Sequence, residues 1–120
     1  MKSGWIEHKN KKIFFAKYCD FGTDLESLKA EVEECDRIIL AQPRKSVLLL
    51  CDFHNTTETS EIKAYIKKSA AKTNINIKKI AALRVYGLRL VIMKAIALFI
   101  DMPIQAFEDI EKAKDWLVQD

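Results

Sequence analysis

Apolar residues recur along this chain with two different periods, and the changes from one to the other divide it into short strands and helices. Trp5 to His8 predicts a first strand and Lys12 to Tyr18 a stronger second one, because Ile13, Phe14, Phe15 and Tyr18 suit a pleated surface. Lys9-Asn10-Lys11 between them supplies turn residues, so the chain opens on a hairpin. From Thr23 to Gln42 the period lengthens: Leu25, Leu28, Val32, Cys35 and Ile39 fall at steps of three and four, on one face of a helix, and Thr23 with Glu26 has capping-box spacing. Pro43 closes that helix. Ser46 to Phe53 then holds the unbroken apolar run Val47-Leu48-Leu49-Leu50-Cys51, as a central strand covered on both faces requires.

A polar loop, His54-Asn55-Thr56-Thr57-Glu58, leads into a second helix near Thr59, with Ile62, Tyr65, Ile66 and Ala70 inward and Asn74 and Asn76 at its end. Ile80 to Tyr86 predicts a strand, Gly87 a turn, and Leu88 to Asp101 a third helix that is apolar on nearly every side. Pro103 precedes a short strand at Ile104 to Phe107. Asp109 to Leu117 forms a last helix with Ile110, Ala113, Trp116 and Leu117 on one face. The order ββαβαβαβα predicts a single α/β domain over the 120 residues, with a mixed, mostly parallel sheet, because each right-handed crossover lays the next strand beside an earlier one. Ligands and partners of such sheets meet the loops beyond the strand C-termini, which directs attention to Asp52–Ser60 and Tyr86–Arg89.

Composition agrees with one ordinary domain: 49% of residues are apolar, and three Gly and two Pro leave no linker and no disordered tract. A chain of this length buries roughly two-thirds of its unfolded surface, so neither metal nor disulfide is needed to hold it. Cys19, Cys35 and Cys51 are odd in number and form no C-x-x-C pair, which suggests reduced thiols in a cytoplasmic protein. Met1 to His8 lacks the apolar stretch of a secretory signal. The most apolar tract, Leu88 to Ile100, contains Arg89 and Lys94 and is shorter than the roughly 20 residues a membrane span takes, so no transmembrane segment is expected.

The most reactive-looking stretch runs from Asp52 to Ser60, where a carboxylate, the His54 imidazole and four hydroxyls lie between a buried strand and a helix start. Asp52 and His54 could belong to a nucleophilic site, but Asx and hydroxyl residues are also what turns and helix caps require, and no G-x-S-x-G or Cys/His motif accompanies them. Thr57, Thr59 or Ser60 could instead accept an anion or a phosphoryl group, favoured there by the helix N-terminus. Nine basic and no acidic residues lie between Ile62 and Lys94, so the second helix presents a positive outer face. A solvated face is the favoured reading of these charges; an acidic partner, phosphate groups, an anionic surface or nucleic acid are the alternatives, and nucleic acid is disfavoured because no aromatics interleave with the lysines. The apolar helix from Leu88 to Ile100 is best accounted for by packing inside the domain, and could otherwise line an apolar ligand cavity or a homodimer contact. His8 and His54 lack partners at metal-ligand spacing and the three glycines are isolated, so no metal or other cofactor is expected.

The element order, the strand Val47-Leu48-Leu49-Leu50-Cys51-Asp52 entering a Thr-rich loop, the segment Lys79 to Gly87 and the terminal Phe107-Glu108-Asp109-Ile110-Glu111-Lys112-Ala113-Lys114-Asp115-Trp116-Leu117 together resemble the STAS group, in particular its SpoIIAA-like branch of small bacterial proteins. The resemblance implies a mixed sheet with helices packed on it, and a regulatory module that binds a protein partner or small ligand without turnover. Antagonists of that group carry a phosphorylated serine at the start of the helix after this strand, in an Asp-Ser-Ser-Gly context. This chain has no such sequence, and Thr57, Thr59 and Ser60 occupy the corresponding neighbourhood. The expected functional surface is non-enzymatic: Asp52 fixing the loop, His54, Thr57, Thr59 and Ser60 facing a partner or anion, and Tyr86 and Arg89 completing the same edge.

Overall fold

The opening hairpin turns on Lys9 and Asn10, both with positive φ (51° and 68°), between β1 (Gly4–His8) and β2 (Lys11–Lys17). Positive φ at both central residues is the type I′ geometry, whose twist matches that of the flanking strands. Ile6 thereby faces Ile13 and His8 faces Lys11. The chain then runs through α1 (Leu25–Leu40), β3 (Val47–Asp52), α2 (Ser60–Thr73), a 3-10 turn at Asn74–Asn76, β4 (Ile77–Leu83), β5 (Ile104–Phe107) and α3 (Ile110–Val118). This computed structural model describes residues 2–57, 59–84 and 103–119.

The five strands lie in the order β1-β2-β3-β4-β5, antiparallel at the hairpin and parallel thereafter, as the mixed, mostly parallel α/β reading requires. β3 is the middle strand and all six of its residues are buried. Its alternate side chains feed two cores. Leu49 and Cys51 join Phe14, Ile77 and Ile80 beneath Leu28, Val32, Cys35 and Ile39 of α1 and Ile62 and Ile66 of α2. Leu48 and Leu50 join Ile13, Ala81 and Leu83 beneath Ala113 and Leu117 of α3. Fully burying one such Leu stabilises the fold by roughly 1.5–3 kcal/mol, which is why an unbroken apolar run settles in the sheet's centre.

Polar contacts orient the helices on these cores. Asp36 of α1 is buried and accepts hydrogen bonds from Ser69 Oγ (2.7 Å) and Lys72 Nζ (3.2 Å) of α2. Lys72 is therefore a clasp between helices, while Lys67 and Lys68 remain on the exposed face of α2. Asp115 of α3 meets His8 Nε2 (2.7 Å) and Lys9 Nζ (3.0 Å), docking the last helix on the hairpin; the His8 hydrogen bond, followed by that from Lys9, holds the Asp115 carboxyl below the usual range. His8 thus has a carboxylate partner that no local spacing could reveal.

Three boundaries differ from the sequence reading. Thr23 does not cap α1: the Asp24 carboxylate does, accepting from Ser27 N–H (3.1 Å), because Gly22 (φ 56°) and the loop contacts described below keep the preceding residues out of the helical path. β4 begins at Ile77, three residues before Ile80, where a bulge opposite Val47 and Leu48 breaks the strand's alternation. The last helix starts at Ile110, with Asp109 as its cap. The helix expected over 88–101, and with it Tyr86, Gly87 and Arg89, lies outside the described residues. Among the described residues no helix is long and apolar enough to cross a membrane.

Candidate functional site

Beyond the C-terminal end of β3 the chain must leave a fully buried strand and reach the start of α2 within a few residues, and its polar side chains make that exit rigid. Asp52 is buried at the strand's last position; its Oδ1 accepts the His54 backbone N–H (3.0 Å), an Asx-type turn, and Oδ2 lies 3.8 Å from Arg84 Nη1 at the end of β4. Asp52 thus fixes the loop, as the sequence suggests, and its partner there is the His54 backbone. The His54 side chain is exposed. Asp52 and His54 are therefore not joined as an oriented acid–base pair.

The loop is also tied to the one that leaves β2. Asp20 N–H donates to His54 O (2.7 Å), Gly22 N–H to Asn55 O (2.9 Å) and Thr57 N–H to Gly22 O (2.7 Å), with Gly22 and Thr56 forming a short parallel bridge. Asn55 Nδ2 donates to Asp20 Oδ1 (3.0 Å). Thr56, 3% exposed, anchors the junction: its hydroxyl donates to Tyr18 O (2.6 Å) and accepts from Phe21 N–H (3.3 Å). A third attachment lies alongside, where the Glu31 carboxylate accepts from Ser3 Oγ (2.5 Å), Ser3 N–H (2.8 Å) and Lys2 N–H, and Ser3 Oγ accepts from Lys17 N–H (2.8 Å) at the end of β2. Burial opposes ionisation of Glu31, but the Ser3 and Lys2 hydrogen bonds outweigh it and hold the carboxyl below its ordinary value.

Left-handed backbone recurs at the strand ends on this edge. Asp20 (φ 64°), Asn55 (φ 57°) and Arg84 (φ 54°) follow β2, β3 and β4 respectively, and Gly22 joins them. Asp and Asn tolerate this region better than most residues, whereas Arg has no such compensation, and conformations of this kind persist where their surroundings over-determine them. At Arg84 the backbone N–H donates to Phe107 O (2.9 Å), tying the end of β4 to β5.

The candidate side chains divide by role. Thr59 is the N-cap of α2, its hydroxyl accepting from Ile62 N–H (3.1 Å), so it supports the helix. Ser60, the first helical residue, and Thr57 are exposed beside it. Hydroxyls of Thr57 and Ser60 and the imidazole of His54 are thus presented on one loop and helix start, while Asp52, Thr56 and Thr59 hold them there. Tyr86 and Arg89 lie outside the described residues. Asp20, Gly22 and Arg84 are rim residues that the sequence does not single out, because their partners are far away in it; Asn55 and Thr56 lie in the loop it does point to, but their bonds to Asp20, Tyr18 and Phe21 arise only in the fold.

Other chemistry is constrained by burial. Desolvation pushes the thiols of Cys35 and Cys51 up, and at Cys19 burial followed by the Asp52 and Asp20 charges does the same, so none of the three is a poised thiolate. Among the described residues no three His, Cys, Asp or Glu side chains gather as metal ligands.

No family model matches the chain, and no curated protein is detectably similar to it in sequence. A solved structure is similar in three dimensions: an uncharacterized protein of the DUF3478 family from Shewanella loihica PV-4, described as having a SpoIIAA-like fold. The match has a TM-score of 0.71 and 15% sequence identity, and covers 96% of this chain and 91% of that one. At that identity the likeness concerns the path of the backbone, and it agrees with the strand order and the two helical layers found here: the chain has a SpoIIAA-like α/β fold.

Proposed function

We propose that this chain is a non-enzymatic regulatory module of the cell interior that recognises a protein partner at the C-terminal rim of its sheet, through Thr57, Ser60 and His54. One observation carries the reading. Two loops from different strands are locked together by the Gly22–Thr56 bridge, while the side chains they present at positions 54, 57 and 60 stay exposed. A rigid backbone with free polar tips suits recognition, because little conformational entropy is lost when a partner docks. The resemblance to STAS antagonists supports the same location, since their regulated hydroxyl sits at the start of the corresponding helix. A phosphoryl group on Thr57 or Ser60 would lie beside the free N–H groups of α2 and switch the surface electrostatically.

The test is comparative capture from a cell lysate with the wild-type chain and with the variant Thr57→Ala/Ser60→Ala/His54→Ala, Thr59 being left in place to preserve the cap. A partner retained by the first and lost by the second, at unchanged Tm, is the expected result. Equal capture by both, with no phosphate on Thr57 or Ser60 by mass spectrometry, removes the rim from the account.

A further inference from the structure

Two loops meet at the end of the sheet where β3 and β4 begin, opposite the rim. The loop 41–46, between α1 and β3, and the turn Asn74–Asn76, between α2 and β4, are tied by three hydrogen bonds. Lys45 N–H donates to Ile75 O (2.9 Å), Ser46 N–H to Asn76 O (3.1 Å) and Asn76 Nδ2 to Gln42 O (2.8 Å). Within the first loop the Ser46 hydroxyl donates to Pro43 O (2.6 Å), closing a turn with Arg44 and Lys45 at its corners. Lys45 has a φ of 53°, in the left-handed region that Gly and Asn occupy more readily, and its bond to the neighbouring loop helps to hold it there.

The helices that lead into these loops are joined by the contacts of Asp36 with Ser69 and Lys72. Leu40 lies one turn beyond Asp36 on α1, and Ile75 three residues beyond Lys72, so both belong to the same corner of the molecule. Of the three large apolar side chains left exposed among the described residues, these are two, at 42% and 47%. The third, Trp5, stands edge-on to Phe14 in the hairpin (ring centroids 5.1 Å apart).

Charge at this corner is one-sided. No acidic residue occurs between positions 37 and 51 or between 62 and 84. Lys72 is engaged by Asp36 and Arg37 by Glu34, whereas Arg44, Lys45 and Lys68 are exposed and form no ion pair among the described residues. About half of each aliphatic side chain is already seated on the fold, so neither offers the apolar face that settles roughly 5–10 Å into a bilayer interface. Tyr65, one turn before Lys68, is faced by Lys29 Nζ (5.4 Å from the ring centre) and is no open platform for a nucleic-acid base. What remains is a fixed, partly apolar surface with cations around it, complementary to carboxylates on another protein.

We propose that this corner docks an acidic segment of a protein partner, its carboxylates meeting Arg44, Lys45 and Lys68 and its aliphatic side chains covering Leu40 and Ile75. The surface lies at the other end of the sheet from the rim, and its test does not depend on the partner proposed there.

The experiment titrates the isotopically labelled full chain with a peptide of repeated Glu-Leu-Asp triplets, followed by amide NMR shifts. Two control peptides replace the acids by Gln and Asn, or Leu by Ser. The acidic, apolar peptide should perturb residues 40–46 and 68–76, weaken as salt is added, and bind about fivefold more tightly than either control. The variant Arg44→Gln/Lys45→Asn, with a residue at position 45 that tolerates positive φ, should keep the wild-type amide spectrum elsewhere and lose about fivefold in affinity. Leu40→Gln/Ile75→Gln should lose a similar factor, about fivefold, with unchanged salt dependence. Absence of shifts, shifts centred on residues 52–60, equal binding of the Ser-containing peptide, undiminished binding by either variant, or tighter engagement of the same residues by phosphatidylserine vesicles or duplex DNA would overturn the proposal.

Discussion

At the C-terminal end of the parallel strands, Asp52, Asn55, Thr56 and Glu31 turn their polar atoms to backbone N–H and C=O groups and to the side chains of Asp20 and Ser3. At the opposite end Lys12 of β2 and Lys78 of β4 are exposed, and among the described residues neither forms an ion pair. The contrast bears on how polar residues should be read. A cluster of Asp, Asn, Thr and His between a buried strand and a helix resembles chemistry, yet most of its members here complete hydrogen bonds that the chain reversal leaves open. Two lysines far apart in sequence are left to solvent instead. What a residue has left over after folding says more about binding than its type does.

The comparison can be broken most forcefully at Thr56. Replacing it by Val keeps the shape but leaves Tyr18 O and Phe21 N–H without their partner in a buried position, and should cost about 1–3 kcal/mol in urea unfolding. An unaffected midpoint would mean that the two loops hold together without it. Next comes Glu31→Gln, which weakens the charged hydrogen bonds to Ser3 and Lys2 and should cost about 1.5 kcal/mol at neutral pH. Because the folded carboxyl sits below its ordinary value, its contribution is complete above the unfolded Glu pKa of about 4.3 and is lost as pH falls through the folded one. Wild type and variant should therefore differ at pH 7, and the gap should narrow as pH falls below the unfolded value and close once it passes the lowered folded one; a gap that does not narrow in acid contradicts the assignment.

Thr59→Ala removes the α2 cap and should cost about 1 kcal/mol, read as a lowered Tm, whereas Ser60→Ala beside it should change Tm little. Equal losses at the two positions would mean that support and presentation are not separated on this loop. The smallest effect belongs to the other end of the sheet. Lys12→Gln and Lys78→Gln should each alter stability by no more than about 0.5 kcal/mol, and a larger loss from either would break the contrast by showing that these exposed lysines also hold the fold.

Local signals accounted for a large part of the architecture. The hairpin turn falls within the Lys9–Lys11 stretch the sequence assigns to it, with Lys11 already in β2, and the Val47–Cys51 run and the strand at Ile104–Phe107 lie where the sequence places them, because each depends on neighbours within a few positions. The start of β4 escaped because its bulge exists only in relation to β3. The cap of α1 moved from Thr23 to Asp24 because the paired loops dictate where the helix can begin. Within the site, Asp52 and Thr59 were legible as loop and cap residues, whereas the roles of Thr56, Asp20 and Gly22 depend on partners more than thirty positions distant.

From its own periodicities the chain specified strands, helices, their order and therefore the mixed sheet, since hydrophobic spacing and turn chemistry act over a few residues. Which polar groups would be consumed and which left exposed was decided only when distant segments met, because a hydrogen bond or a counter-charge depends on separation in space. Asp115 finding His8, and Lys78 finding no carboxylate among the described residues, are outcomes of that packing.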